Sequence, residues 1–108
     1  MAEIPKKIKE TIEDYVRNIN SEIPVKKALL FGSYAKGTFT KDSDIDIAIF
    51  SDFFKGMKRV DGIKYLLRKT IKYPHVDLQP VPFTYLDYLE NDGFAAEVLK
   101  SGIEIKIN

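Results

Sequence analysis

From Asp44 onward the side chains alternate at every step: Asp44, Ile45, Asp46, Ile47, Ala48, Ile49. A two-residue period belongs to an extended strand whose two faces meet unlike surroundings, because successive side chains point to opposite sides of the pleat. A strand is therefore expected over residues 44–50, apolar on one face and acidic on the other.

The rest of the chain supplies cover for such a strand. Ile8, Ile12, Tyr15, Val16 and Ile19 recur at helical spacing, with Pro5 suited to the first turn and Pro24 beyond the end. The apolar run Ala28, Leu29, Leu30, Phe31, stopped by Gly32, reads as a buried strand over 25–31, and residues 33–36 as a brief helical turn. Met57, Val60, Ile63, Leu67 and Ile71 form one stripe of a helix expected over 55–72, ended by Pro74. A third strand is expected over 76–81. Thr84 can cap a helix to about Glu90, Asp92 and Gly93 form a turn, and a last helix closes at Gly102. Ile103, Ile105 and Ile107 alternate with Glu104 and Lys106 in a terminal strand. Helices alternating with strands imply a helix-covered sheet in one α/β domain, residues 1–108.

Charge and composition narrow the function. Seventeen Lys and Arg against sixteen Asp and Glu leave a formal charge of +1, so no broad cationic field points to direct nucleic-acid binding or a membrane partner. No cysteine is present, which removes thiolate chemistry and disulfides, and the single His75 cannot build a histidine metal cluster. The first residues resemble neither a signal peptide nor a lipidation site, and no run approaches a membrane span; a cytoplasmic location is expected.

Two carboxylates on one strand face oppose each other's ionisation, so a cation is expected between Asp44 and Asp46. Oxygen ligands of this kind suit Mg2+, which one or two carboxylates commonly hold together with water and substrate phosphate. Upstream, Gly32 ends a strand and Ser33 opens a turn, where backbone amides and a hydroxyl can grip phosphate oxygens. The opening of a calcium-binding EF-hand is also present in Asp42, Asp44 and Asp46. That reading fails, because Ile47 stands at the glycine position and Phe53 at the bidentate glutamate position.

Gly32 and Ser33, ten intervening residues, then Asp44, Ile45 and Asp46 resemble the signature of the DNA polymerase β superfamily of nucleotidyltransferases. The resemblance implies an α/β (α+β) fold with a small mixed sheet and flanking helices, and a third carboxylate on a later strand, which Asp77 matches by order and context. It implies ATP as nucleotidyl donor and one or two Mg2+ ions: Asp44 and Asp46 touching both, Asp77 touching the one that activates the attacking hydroxyl. Lys36 stands where relatives commonly carry a basic residue near the triphosphate. At this length the chain is most similar to the minimal nucleotidyltransferases, often paired with a HEPN-type helical ribonuclease that they adenylylate or sequester. The expected activity is transfer of a nucleoside monophosphate, AMP foremost, to a hydroxyl of such a partner. The alternatives are a non-catalytic antitoxin acting by complex formation, and a small-molecule adenylyltransferase resembling the aminoglycoside-modifying enzymes. The latter needs an acceptor region that only homo-oligomerisation can supply here.

Blander readings stand beside these. Asp77 can be a surface residue pairing with a lysine, Asp42 a turn residue, and Lys36 an ordinary solvated lysine. Tyr34, Phe39, Phe53 and Phe54 flank the motif and fit core packing better than base stacking. His75 is expected to be structural, on the same strand face as Asp77.

Overall fold

The computed structural model describes residues 4–107. Helix α1 (Lys6–Asn20) leads into strand β1 (Lys27–Phe31), the single turn α2 (Ser33–Lys36) and strand β2 (Ile45–Phe50). Helix α3 (Arg59–Arg68), strand β3 (Leu78–Phe83), helices α4 (Tyr85–Glu90) and α5 (Gly93–Ser101), and the two-residue strand β4 (Ile103–Glu104) complete the order. The sheet runs β3-β2-β1-β4, with β2 and β3 parallel and the other neighbours antiparallel. A parallel pair needs a crossover, and α3 provides it.

The alternation in β2 decides the layering. Ile45, Ile47 and Ile49 enter one core with Ile12, Tyr15, Val16 and Ile19 of α1 and Leu66 of α3. Ala48 and Phe50 enter a smaller core on the other face, with Ala95 and Val98 of α5. Each isoleucine so buried contributes about 1.5–3 kcal/mol relative to exposure. Tyr15 is fully buried and its hydroxyl donates to the Leu66 carbonyl at 2.8 Å, tying α1 to α3. Burial pushes that phenol well above the ordinary tyrosine range.

Strand β3 is an edge. It carries Pro80 and Pro82, which lack amide protons and so blunt the edge against further pairing. Thr84 caps α4 in a reciprocal box, its hydroxyl accepting from the Asp87 amide and its own amide donating to the Asp87 carboxylate.

Several expected boundaries move. The first strand begins at Lys27 rather than Val25, and β3 spans 78–83 rather than 76–81. The expected helix over 55–72 is regular only from Arg59 to Arg68; Lys55 and Gly56 form a turn, with Gly56 at φ +76°, and residues 69–72 tighten into a 3-10 helix. Its expected apolar stripe is also not the buried face: Val60 and Ile71 are 52% and 76% exposed, while Gly62 and Leu66 face the sheet. The terminal alternation yields only Ile103–Glu104 as strand, with Ile105 buried and Ile103 exposed.

Candidate active site

The acidic residues gather where β1 ends and β2 and β3 begin. Asp44 immediately precedes β2 and Asp77 immediately precedes β3, so neither lies within its strand. The Ile45 amide donates to the Asp77 carbonyl at 2.8 Å, extending the parallel ladder by one bond and fixing the Asp77 backbone beside the segment carrying Asp44 and Asp46. The side chains of Asp44 and Asp77 then meet: that contact, followed by the charge of Asp77, holds the Asp44 carboxyl above the ordinary aspartate range. The Asp46 carboxyl is raised as well, chiefly by partial burial and then by the charges of Asp44 and Asp77.

Asp46 pairs across the sheet with Phe31, the last residue of β1, and its carboxylate lies over Gly32. A Cβ at Gly32 would collide with that carboxylate, and Gly32 also has φ +73°, a conformation glycine adopts without strain. Glycine is required here for both reasons. It brings Ser33 to the head of α2, whose first intrahelical bond runs from the Lys36 amide to the Gly32 carbonyl at 3.1 Å. The amides of Ser33, Tyr34 and Ala35 are therefore the free donors of that turn. Lys36 ends the same turn, exposed.

Among the described ion pairs no lysine neutralises the cluster. Among the described residues the ion pairs are Arg17–Asp14, Lys27–Glu104 and Lys69–Glu22, all elsewhere. The expected alternative of an Asp77–lysine pair does not occur among them; Asp77 Oδ1 instead accepts from Gln79 Nε2 at 2.8 Å. Nor do three or more carboxylate or imidazole side chains converge into a group able to hold a metal ion among the described residues. Asp44 and Asp77 touch, and Asp46 stands against Gly32.

A cleft of about 500 Å3 opens on the Asp77 side, lined by Ile8, Tyr34, Lys41, Ser43, His75 and Asp77. His75 is exposed in the turn before β3, which corrects its expected place on the strand face of Asp77. Asp42 belongs to the turn closed by Thr40 and Ser43, where the Ser43 amide donates to the Thr40 carbonyl at 3.1 Å. Tyr34 stacks on Phe39 with centroids 4.3 Å apart, and Phe54 is buried, so these rings pack as expected. Phe53, 39% exposed, lies beyond the opposite end of β2.

Two residues near the carboxylates have no local signature in the sequence. Gln79 is the cross-strand partner of Asp46 as well as the donor to Asp77. Phe94, 46% exposed, meets Phe31 edge-on at 5.8 Å, and Phe31 is itself opposite Asp46. An alternation pattern can reveal a strand, but not which residue of a distant element the fold lays beside it.

A crowded acidic mouth beside a glycine-serine turn, on a four-stranded mixed sheet, defines a class. The family model described as nucleotidyltransferase domain matches residues 7–105, and the chain belongs to that family. Among individual proteins it is similar to candidate protein adenylyltransferases of Methanocaldococcus jannaschii. One is 28% identical over 92 residues, covering 78% of this chain and 93% of the relative. Another is 44% identical over a shorter match that covers 40% of this chain and 45% of the relative. Among solved structures, a candidate nucleotidyltransferase from Sulfolobus solfataricus superposes with TM-score 0.68 at 19% identity, covering 91% of this chain and 78% of that one. A toxin-antitoxin complex crystallised with AMP-PNP gives TM-score 0.61 at 23% identity, covering 93% and 73%. These likenesses show the fold.

Proposed function

We propose that this chain transfers AMP from ATP to a hydroxyl of a partner protein, in a toxin-antitoxin pairing with a HEPN-type ribonuclease. The observation that carries the reading is the carboxylate crowding: Asp44 and Asp77 in contact and Asp46 within their field, with no lysine drawn in among the described residues. Like charges held together without a protein cation fit an oxygen-loving divalent ion arriving with its substrate. Mg2+ suits an open donor set of this kind, because it keeps waters and shares phosphate oxygens rather than requiring a protein cage.

Asp44, Asp46 and Asp77 would hold the metal. Bound there, magnesium would neutralise charge developing on the α-phosphate and the departing pyrophosphate. The free amides at the head of α2 and the Ser33 hydroxyl bind the triphosphate tail, with Lys36 in reach of its outer oxygens, and Phe94 offers an exposed ring to the base. In the transfer, the acceptor oxygen bonds to the α-phosphorus while the α–β bridging bond breaks and pyrophosphate leaves. The hydroxyl proton departs toward the Asp77 side of the site, where the cleft admits an acceptor side chain. The relatives described as protein adenylyltransferases and the toxin-antitoxin neighbour support this acceptor and partner.

The test is to incubate the protein with a co-expressed HEPN-type partner, Mg2+ and ATP labelled on the α-phosphate. Label should reach the partner with the wild type and not with Asp46→Asn. Equal neutralisation of the partner's ribonuclease by both proteins, with no label transferred by either, would replace transfer by simple complex formation.

A further inference from the structure

The two edges of the sheet are finished differently. On β3 the carbonyls of Asp77 and Phe83 accept from the Ile45 and Ser51 amides at 2.8 Å, so residues 77, 79, 81 and 83 turn toward β2 while Pro80 and Pro82 turn outward. Both prolines thus stand where an added strand would need an amide, and that edge is closed.

No proline guards β4. The Ile105 amide donates to the Ala28 carbonyl at 2.8 Å, so Ile103 and Ile105 turn toward β1, and the amide and carbonyl of Glu104 turn away from it. The alternation continues past the strand: Ile105 is buried, Lys106 exposed, and Ile107 packs against the same core as Ile105. Glu104 and Lys106 are therefore the outward-facing positions, two residues apart on one sheet face. On the other face an apolar groove of about 270 Å3 follows this edge, lined by Lys9, Ile12 and Glu13 of α1 with Leu30, Ile103 and Ile105. Ile103 is 42% exposed beside it.

We propose that this edge pairs with the same edge of a second copy of the chain, antiparallel about a two-fold axis at Ile105, joining two four-stranded sheets into one of eight. The charges select that register. Only outward-facing positions can exchange backbone hydrogen bonds, and an axis at Glu104 or at Lys106 would set that residue against itself, like charge on like. An axis at Ile105 sets each Glu104 directly opposite Lys106 of the other copy, twice over. Glu104 has an oxygen to spare for this: Lys27 Nζ engages its Oε1, at 3.2 Å, from the β1 side. On the groove face the same axis lays Ile105 on Ile105 and Ile103 on Ile107, covering the exposed Ile103. It also runs the two α1 helices antiparallel, so Lys9 and Glu13 on the groove wall face their own reverse order. A foreign strand would have to supply this pattern; a second copy carries it. The contact is isologous and closes at the dimer. It is independent of the proposed transfer reaction.

Sedimentation velocity of the full chain from about 1 μM to about 1 mM, in low and high salt, tests this. The protein should pass from monomer to dimer and no further, more weakly in high salt. Glu104→Lys and Lys106→Glu each place like charges opposite one another and should dimerise about tenfold more weakly. Mixed one to one, they should recover the wild-type dimer, because one variant then presents two positive charges to two negative ones on the other. The double variant Glu104→Lys/Lys106→Glu should recover it alone. A wild-type protein that stays monomeric throughout, or that grows past a dimer, overturns the proposal without reference to any variant. So does a mixture that associates no better than its components while both keep the wild-type circular-dichroism spectrum.

Discussion

The two ends of β2 make opposite use of polar groups. At its far end Ser51 is fully buried and fully bonded: its hydroxyl donates to the Pro24 carbonyl at 2.7 Å and accepts from the Phe53 amide at 3.2 Å. Its amide donates to the Phe83 carbonyl at 2.8 Å. At the near end Asp77 holds the Asp44 carboxyl above the ordinary aspartate range, and partial burial, then the charges of Asp44 and Asp77, do the same to Asp46. None of the three joins a lysine among the described ion pairs. One strand thus closes its electrostatics internally at one end and leaves them open at the other. A small domain can tolerate such a concentration of like charge where a ligand completes it, and the open end is where chemistry is expected.

The sharpest way to break this contrast is Asp46→Asn. Activity should fall by about 10^3-fold, the scale of removing one preorganised group that stabilises developing charge. Thermal stability should hold or rise, because a carboxylate opposed by two neighbours becomes neutral; label transfer and a melting curve check both. Next comes Gly32→Ala, where the new Cβ meets the Asp46 carboxylate in a left-handed backbone. A cost of about 1–3 kcal/mol in stability is expected from the strained conformation. A further loss of about 10^2-fold in activity should follow from misplacing the carboxylate. If Gly32→Ala keeps full activity, the close approach of Gly32 to Asp46 has no functional meaning.

The near end was largely legible in the sequence because its pattern is local. The alternation from Asp44 to Phe50 and the spacing from Gly32 and Ser33 both survive as a strand and a glycine-headed turn beside it. Helix α3 was misread for a physical reason: hydrophobic periodicity marks an apolar face without saying what covers it. Gly62 and Leu66 are the buried residues of the helix, and Val60, Leu67 and Ile71 of the expected stripe are exposed. Gln79 and Phe94 were invisible because their meaning comes from register and from a contact across the fold.

Smaller effects sharpen the contrast. Gln79→Ala should free Asp77 Oδ1 from its 2.8 Å donor, weakening Mn2+ binding by about tenfold as lost support of a ligand commonly does. Titration followed by electron paramagnetic resonance reads this without turnover, and unchanged affinity would reduce the bond to a surface contact. At the closed end, Ser51→Ala removes the buried hydroxyl together with its bonds to the Pro24 carbonyl and from the Phe53 amide. It should cost about 1–3 kcal/mol in denaturant unfolding while leaving transfer activity intact.

The smallest effect is a contribution of unusual sign to the pH slope. Asp44 and Asp46 have folded-state pKa values raised above the ordinary 3.8, so the folded protein binds their protons more tightly than the unfolded chain. Stability from this source is fully present below 3.8 and is lost as pH rises through the raised values. Glu22, lowered from 4.5 by its hydrogen bonds from Lys69 and Tyr65, acts in the other direction, its stabilisation present above 4.5 and lost as pH falls through its folded value. The two contributions therefore oppose each other in the acid range. Without divalent cation, Asp44→Asn should make stability, read by chemical denaturation, fall more steeply on acidification, because it removes the aspartate contribution. Excess Mg2+ should steepen the fall in the wild type too, since an ion held by the cluster favours the ionised carboxylates; a slope indifferent to both would mean that the acidic end of β2 is as self-contained as the end at Ser51.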